Sequence, residues 1–277
     1  MESSIRFGIF LVVLTLMLTW ERVRPFRFFQ QPRSQRIAIN LGMMLVNFGV
    51  LRLLTAGGVF ATACYTAEHR LGLFNHLELA PGIEIFSGLL VLDLAIYLQH
   101  RLLHVIPLFW QFHKVHHSDP GFDTTTGVRF HPLEILFSMY YKMALVLALG
   151  VSPWTVVVFE TILNVCALFN HGNVQIPQPG ERFVRNILIT PDLHRIHHSS
   201  ARVETDSNFG FSVPWWDHAF KTYRGSPSLP QEKICIGILE QDSPELPSFR
   251  DLLQMPFTRA RPDSDNRASP TDTEDLE

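Results

Sequence analysis

Four stretches of apolar residues, separated by polar or charged segments, dominate the chain up to residue 170. They cover residues 5–20, 37–64, 83–99 and 133–170. These lengths approach or exceed the roughly 20 residues with which a helix crosses a bilayer. The last stretch is interrupted by a Gly-Val-Ser-Pro sequence at 150–153, which predicts a hairpin of two helices, 133–149 and 153–170.

The first apolar stretch has two interpretations, a signal peptide or a membrane anchor. Arg6 could serve as a short basic region of a signal peptide, but no small-residue cleavage site follows. The chain continues instead with Glu21-Arg22-Val23-Arg24-Pro25. We therefore expect a membrane anchor.

The link between the first two stretches, residues 21–36, is rich in arginine. It contains Arg22, Arg24, Arg27, Arg33 and Arg36. Because positive residues mark cytoplasmic loops, this link is expected to face the cytoplasm. Counting forward, the inner end of the third stretch and both ends of the hairpin then lie on the cytoplasmic side as well.

Composition narrows the class of protein. Apolar residues make up 47% of the 277 residues and charged residues only 18%, which fits a membrane protein better than a soluble one. The net charge of −3 gives no electrostatic reason to expect a nucleic-acid partner. Cys64, Cys166 and Cys235 are too widely spaced for a disulfide framework or an iron–sulfur site.

Eight histidines occur in three short motifs with metal-ligand spacing. The motifs are HRLLH at 100–104, HKVHH at 113–117 and HRIHH at 194–198. On a helix, residues at i, i+3 and i+4 share one face, so each motif would direct its imidazoles the same way. Eight ligands exceed the four of a tetrahedral zinc site, which predicts two metal ions. The predicted ligands are His100, His104, His113, His116, His117, His194, His197 and His198.

Two further histidines are candidate ligands outside these motifs. His171 follows the predicted hairpin, at the depth where the motifs converge, and we expect it to bind metal. His131 opens the hairpin, and it either binds metal, caps the helix or bonds Glu134. His69, His76 and His218 lie away from the predicted site and are expected to play no part in it.

An aspartate and a tyrosine continue the face of the third apolar helix that carries the first motif. Asp93, Tyr97, His100 and His104 are spaced at i, i+4, i+7 and i+11. An ionisable residue in an apolar span is by default a candidate functional residue. We expect Asp93, together with Tyr97, to support a ligand histidine by accepting its free N–H. The alternative is a hydrogen bond elsewhere in the bundle.

These patterns predict an all-α protein, an integral membrane helical bundle of about four to five membrane helices with a cytosolic histidine-rich helical cap. We divide the chain into N-terminal membrane helices (1–82), a catalytic domain (83–224), a C-terminal extension (225–257) and a disordered acidic tail (258–277). Some predicted spans are slightly short, so tilted or re-entrant helices are expected among them.

An all-imidazole pair of metal sites at a membrane surface suits iron and dioxygen, which together can oxidise an unactivated C–H bond. Apolar helices next to such a site could deliver a lipid chain from the bilayer. Hydrolytic pairs of zinc ions usually need a carboxylate as a bridge or base. No acidic residue lies within the three motifs, and neither HExxH nor HxxEH occurs.

The three motifs, the segment Arg129–Glu134 and Asn208-Phe209-Gly210 followed by Trp216-Asp217 resemble the fatty acid hydroxylase/sterol desaturase superfamily over residues 85–224. The resemblance implies a membrane-bound non-haem di-iron enzyme whose eight motif histidines bind the metals at the cytosolic face. It also implies O₂-dependent hydroxylation or desaturation of a lipid. Electrons would come from a ferredoxin or cytochrome-b5-type donor with its reductase, which we expect to be a separate protein.

Two other functions remain open from the sequence. One is a zinc-dependent membrane hydrolase, and the other is a metal-binding membrane protein without redox activity, for storage or transport. Transporters usually place their ligands near the bilayer midplane, whereas these motifs lie at helix ends. Sterol, fatty acyl, carotenoid, alkylglycerol and ornithine-lipid substrates all fit an apolar channel.

Overall fold

A computed structural model describes residues 2–77, 79–238 and 246–258. The predicted acidic tail, 258–277, therefore lies outside the described residues except for its first position. The predicted extension, 225–257, is described on both sides of a gap. The division of the chain into domains stays a prediction.

The described residues form an all-helical fold, as predicted, with one isolated β-bridge between Ser199 and Ile236. The seven longest helices are α1 (Glu2–Val23), α2 (Arg33–Leu54), α3 (Gly58–Glu68), α4 (Pro81–Val105), α5 (Pro107–His117), α6 (Pro132–Leu149) and α7 (Pro153–Asn170). The shorter ones are α8 (Gln178–Val184), α9 (Pro191–His197), α10 (Arg202–Thr205), α11 (Trp215–Ala219) and α12 (Phe249–Gln254). Short 3₁₀ helices occupy Leu73–His76, Thr124–Val128, Gln231–Lys233 and Met255–Phe257.

Five helical segments of the described chain are long and apolar enough to cross a membrane. They are Glu2–Val23, Arg33–His76, Pro81–Val105, Pro132–Leu149 and Pro153–Asn170. Large apolar side chains cover their outer surface, for example Leu53 at 82% exposure and Phe48 at 68%. A bilayer would cover this surface. The chain is an integral membrane protein, and the predicted number of about four to five membrane helices is confirmed.

The second apolar stretch, residues 37–64, is divided between two helices, α2 and α3. The break lies between Leu54, where α2 ends, and Gly58, where α3 begins. Ala56 and Gly57 adopt positive φ values of 45° and 93° there, which end one helix and reorient the next. Both α2 and α3 pack against α6.

The apolar core lies between α3, α4, α6 and α7, on the side of the bundle away from the histidines. Its buried members include Val59, Leu92, Val146 and Phe159. At the far end of this core, Glu84 of α4 accepts hydrogen bonds from Ser152 and Thr155, which open α7. This tie holds the α6–α7 hairpin against α4.

Four of the long helices place a polar end at the opposite side of the bundle. Glu21 of α1 accepts the backbone N–H groups of Thr124 and Asn173, at 2.7 and 2.9 Å. The first turn of α2, the last turn of α4 and the end of α7 reach the same layer. The short helices α8 to α12 and the 3₁₀ helices Thr124–Val128, Gln231–Lys233 and Met255–Phe257 complete it, and this layer is the histidine-rich cap.

Candidate metal centre

Nine buried histidines are gathered into two groups that could each hold a metal ion. Within each group, one ring nitrogen of every residue lies within 4.8 Å of the others. The first group consists of His100, His104, His113, His117 and His197. The second group consists of His116, His171, His194 and His198. No aspartate, glutamate or cysteine of the described residues belongs to either group.

Helical spacing explains how the motifs divide between the groups. In each motif the residues at i and i+4 stay together, because they lie one turn apart on the same face. In the two HxxHH motifs the histidine at i+3 joins the other group, so His116 separates from His113, and His197 from His194. The two HxxHH helices α5 and α9 therefore interlock across both groups.

The two groups adjoin each other. The rings of His117 and His198 stack with centroids 4.3 Å apart and an angle of 17° between their planes. One of these rings belongs to each group. Metal ions held by the two groups would therefore occupy neighbouring positions.

Acceptors outside the groups fix the orientation of several imidazoles. Each of these bonds engages Nδ1 and leaves Nε2 for the interior of the group, as in metal sites generally. The acceptors are the carbonyl oxygens of Phe209 for His100 (2.8 Å), Ser207 for His197 (2.7 Å), Ala167 for His171 (2.8 Å) and Arg129 for His116 (3.3 Å), and the carboxylate of Glu134 for His113 (2.7 Å).

The inner nitrogens fit a bound cation. Nε2 of His171 lies 3.1 Å from Nε2 of His116, although each ring uses its Nδ1–H on a carbonyl oxygen. In neutral imidazoles both Nε2 atoms then carry a lone pair and no proton, so neither can donate a hydrogen bond to the other. Further buried ring nitrogens have no hydrogen-bond partner, including Nε2 of His113 and of His197. A metal ion in each group would satisfy them.

Burial keeps the cap histidines neutral, which is the state that binds metal. Desolvation lowers the pKa of His171 to about 4 and that of His197 to about 3. Desolvation, together with neighbouring imidazoles, also lowers the pKa of His116, His194 and His198 well below its ordinary value. At neutral pH these ligands carry no charge that would repel a cation.

His131 lies outside both groups. Its Nδ1 accepts the backbone N–H of Leu133 at 3.2 Å, which makes it the N-cap of α6, and its Nε2 lies 3.3 Å from the carbonyl oxygen of Leu253. Both ring nitrogens are thereby engaged. The sequence leaves three roles open for His131, namely a metal ligand, a helix cap or a partner of Glu134. The structure shows the helix cap.

Asp93 and Tyr97 are not hydrogen-bonded to a histidine. Asp93 accepts the indole N–H of Trp216 at 2.9 Å, and the Tyr97 hydroxyl bonds Thr222 at 2.9 Å. Both contacts join α4 to the segment after α10. The expected support of a ligand histidine is therefore corrected to a hydrogen bond elsewhere in the bundle.

The sequence reasoning missed the acceptors that do support the histidines. Glu134 was considered as a partner of His131, whereas it accepts from His113, which lies 21 residues earlier. Its position in the first turn of an apolar helix was the available signal. The carbonyl acceptors Ser207 and Phe209 left no signal, because any residue type supplies a backbone oxygen.

A buried ionic network lies behind the second motif. Asp119 accepts two hydrogen bonds from Arg36, both at 2.9 Å, and Arg36 also pairs with Asp123 at 2.8 Å. Asn40 and Thr126 add bonds to the same carboxylate. Burial alone would raise the pKa of Asp119, but the Arg36 guanidinium holds it well below its usual range. The network fixes the chain directly after His117.

A cavity of about 170 Å³ leads from the histidines toward the apolar helices. Its cap end is lined by His100, His113, His116 and His194. Residues of α4, α6 and α7, among them Ile96 and Leu163, form most of the remaining wall, together with Gly127, Phe130 and Phe211. A substrate carbon placed at the cap end would lie against both histidine groups.

Comparison with known proteins agrees with this geometry. The family model of the fatty acid hydroxylases matches residues 85–222. The chain belongs to the fatty acid hydroxylase family. The matched region holds all three histidine motifs and the segment from Asn208 to Asp217. The resemblance predicted from these motifs is confirmed.

Several curated relatives of the family carry names of lipid-oxidising enzymes. An ornithine lipid hydroxylase of Rhizobium tropici is 25% identical over 82% of this chain and 70% of its own length. The human alkylglycerol monooxygenase is 26% identical over 55% of this chain and 32% of its own length. The human cholesterol 25-hydroxylase is 27% identical over 53% of each chain. The chain thus spans about a third of the human monooxygenase.

No solved structure matches this chain at a significant level. The relatives nevertheless agree on the class of reaction, because all three are named as hydroxylases or monooxygenases. The prediction of an oxidoreductase that oxidises a lipid is confirmed at the level of this class.

Proposed function

We propose that the chain is a membrane-bound di-iron lipid hydroxylase that uses O₂ and externally supplied electrons. The observation that carries this proposal is the pair of adjoining groups of buried, neutral histidines at the cap end of the cavity. Iron bound there would supply the redox chemistry with O₂ that breaks a lipid C–H bond. The protein's own part is to hold the ligands neutral and to exclude water.

The donor set favours iron over zinc. A zinc site uses at most four protein ligands, and a catalytic one usually three, whereas the first group offers five nitrogens. Imidazole without thiolate or carboxylate is a suitable set for a redox-active first-row metal. We therefore assign one iron ion to each group, with His100, His104, His113, His117 and His197 around one and His116, His171, His194 and His198 around the other.

Glu134 is the residue we assign to orienting the first group. Its carboxylate accepts the Nδ1–H of His113 and directs the Nε2 lone pair toward the group interior. Phe130 stacks on His116 at 4.5 Å and closes the cavity wall beside the second group.

The cap is proposed to face the cytosol. The arginine-rich link between α1 and α2 lies at the cap end, where Arg27 donates to the carbonyl oxygen of Ile234 and Arg33 pairs with Glu21. Positive residues favour the cytoplasmic side of a membrane protein. A ferredoxin or cytochrome-b5-type protein with its reductase would deliver electrons from that side.

Hydroxylation is proposed rather than desaturation. The relatives are named for hydroxylation or monooxygenation, of an ornithine lipid, an alkylglycerol and cholesterol. These three polar lipids differ in structure, so they define the substrate as a lipid and no further.

Metal analysis with oxygen consumption tests this function. We expect two iron ions per chain in detergent-purified protein, and O₂ consumption when a reductant is added. Cells that express the chain should contain a lipid heavier by one oxygen atom. Two zinc ions without iron, together with no O₂ consumption, would contradict the proposal. A product lighter by two hydrogen atoms would show a desaturase.

A further inference from the structure

Polar side chains line the cavity from the level of His100 to its end away from the histidines. They belong to three apolar helices and are Gln99 of α4, Ser138 and Lys142 of α6 and Asn164 of α7. Lys142 lies near the middle of α6, at a depth where the lipid interior would surround the bundle. Polar and ionisable residues in a membrane segment are costly and usually mark a functional site.

A buried carboxylate separates this end of the cavity from a second groove. Glu160 of α7 bonds the Lys142 ammonium at 2.8 Å through Oε1 and the Arg6 guanidinium at 2.9 Å through Oε2. Arg6 also lies 3.4 Å from Glu2, at the more exposed side. We call Arg6, Glu160 and Lys142 the charged partition.

The second groove opens between α1 and α2 and has a volume of about 390 Å³. Phe7 and Phe48, exposed by 59% and 68%, flank it on the lipid-facing surface. The groove and the cavity share Phe130, Ile135 and Asn164 in their walls. A lipid could pass from the bilayer through the groove and beside the partition to reach the histidines.

The helix register gives the distance between the partition and the metal centre. Glu134, Ser138 and Lys142 follow one another at intervals of four residues on the cavity face of α6. Eight residues of helix correspond to about 12 Å of axial rise. Because Glu134 bonds His113 directly, Lys142 lies about two helical turns along α6 from the residue that contacts the first histidine group.

We propose that the charged partition, with Gln99 and Ser138, is a subsite for an oxygen-bearing polar group of the lipid substrate. This inference rests on the proposed function and narrows its substrate to an amphiphile that is oxidised on the order of 12 Å from its polar group. A plain hydrocarbon chain would gain nothing from these residues.

The donors at the subsite favour an acceptor oxygen. The Lys142 ammonium has three N–H groups, one of which serves Glu160. The Gln99 carbonyl oxygen accepts from Ser138 at 3.4 Å, so its amide nitrogen contributes two more donors. A carboxylate, ester or hydroxyl oxygen satisfies such donors, and desolvation makes each bond stronger than it would be in water.

Competition binding to the protein as purified in detergent tests the subsite, whatever its iron content. The probe is radiolabelled octadecanoic acid, and the competitors are octadecanoic acid, octadecanol and octadecane, which share one chain length. We expect the acid and the alcohol to compete and the alkane to compete far more weakly. Lys142→Met should weaken the acid at least about tenfold, as for the loss of a hydrogen bond to a charged group. It should leave the alkane unchanged.

Matched variants protect this test from misfolding. Lys233→Met removes an exposed lysine of the cap and should bind all three compounds like the unchanged protein. If Lys142→Met fails to fold or to hold iron, Gln99→Leu removes cavity donors without leaving Glu160 unpaired. It should show the same loss for the acid and the alcohol. Equal competition by the alkane, or unchanged discrimination in a folded variant, overturns the subsite.

The two proposals can fail separately. Iron content and O₂ consumption decide the proposed function and do not enter the binding measurement. A protein without iron that still prefers the acid keeps the subsite and loses the hydroxylase. An iron protein that does not discriminate among the three compounds loses the subsite alone.

Discussion

His171 shows how a single residue completes the second histidine group. It lies outside the three motifs, at the C-cap of α7, yet its Nε2 is within 3.1 Å of both His116 and His194. Without it the second group would keep three histidines, two of them on α9 and its C-cap. The contacts that join the end of α7 to the two HxxHH motifs would also be lost.

Replacing His171 by alanine should therefore remove the second metal selectively. We expect iron to fall from about two ions per chain toward one, with loss of O₂ consumption. Losing one of four ligands should weaken metal binding by more than the roughly 10–100-fold that follows the loss of a partner of a ligand. Elemental analysis of the purified variant measures this. Retention of two iron ions would contradict the assignment of His171.

His131→Asn is the matched control for that experiment. Asparagine is among the best N-cap residues, so its side-chain oxygen can accept the N–H of Leu133 in place of His131 Nδ1. Iron content and activity should stay at the level of the unchanged protein. A loss of iron in this variant would place His131 among the ligands after all.

At this scale the sequence predicts well which histidines come together, and it predicts the partners that orient them poorly. The motif spacing follows from helix geometry, which is local, so nine of the ten candidate histidines lie together. The bonds of Asp93 to Trp216 and of Glu134 to His113 depend on which helices pack together. Periodicity along one helix does not contain that information.

At the scale of helices, local signals explain why some boundaries were predictable. The hairpin predicted at 133–149 and 153–170 is observed at Pro132–Leu149 and Pro153–Asn170. Proline begins both helices, and Gly150 ends the first with a φ of 67°. The break after Leu54 was hidden because apolar residues continue on both sides of it.

The tight approach of two turns at the far end of the bundle gives a prediction about stability. A Cβ atom on Gly72 would overlap the backbone of Gly150, and Gly72 itself has a φ of 84°. Gly72→Ala should therefore destabilise the protein by about 2 kcal/mol, through overlap and backbone strain together. The thermal midpoint in detergent measures this change.

Gly82→Ala is the control for the same measurement. Gly82 lies in the first turn of α4, and no atom lies within 4 Å of the position of an added Cβ. Alanine is the better helix former, so the midpoint should stay the same or rise slightly. A similar fall in both variants would show that the contact of Gly72 with Gly150 has no special weight.

At the scale of the whole molecule, the fold class and membrane character were predictable because they depend on summed hydropathy. The cavity, the charged partition and the buried network around Asp119 were not, since each joins residues distant in sequence. Arg36 and Asp119 are separated by 83 residues. The meeting of all three motifs in one cap was predictable. Because successive spans cross the membrane in alternating directions, the inner end of the third stretch and both ends of the hairpin lie on the same side.

The side of the membrane on which the cap lies can be measured with cysteine labelling. Cys235 is exposed in the cap, and His76 is exposed at the opposite end of the bundle. With Cys64 and Cys166 replaced by serine, a membrane-impermeant maleimide applied to intact cells should spare Cys235. It should label a His76→Cys variant that lacks Cys235. The reverse pattern would place the cap outside the cytosol.

The buried network around Asp119 has a consequence for how this family can be divided. The family match begins at residue 85, but Arg36 and Asn40 lie before that point and neutralise or bond the carboxylate behind the second motif. A fragment that starts at the match would bury Asp119 and Asp123 without the Arg36 guanidinium that pairs with both. We therefore expect residues 85–222 alone not to fold as a stable unit. A chimaera that replaces the first two helices of this chain should keep Arg36 and Asn40 in place.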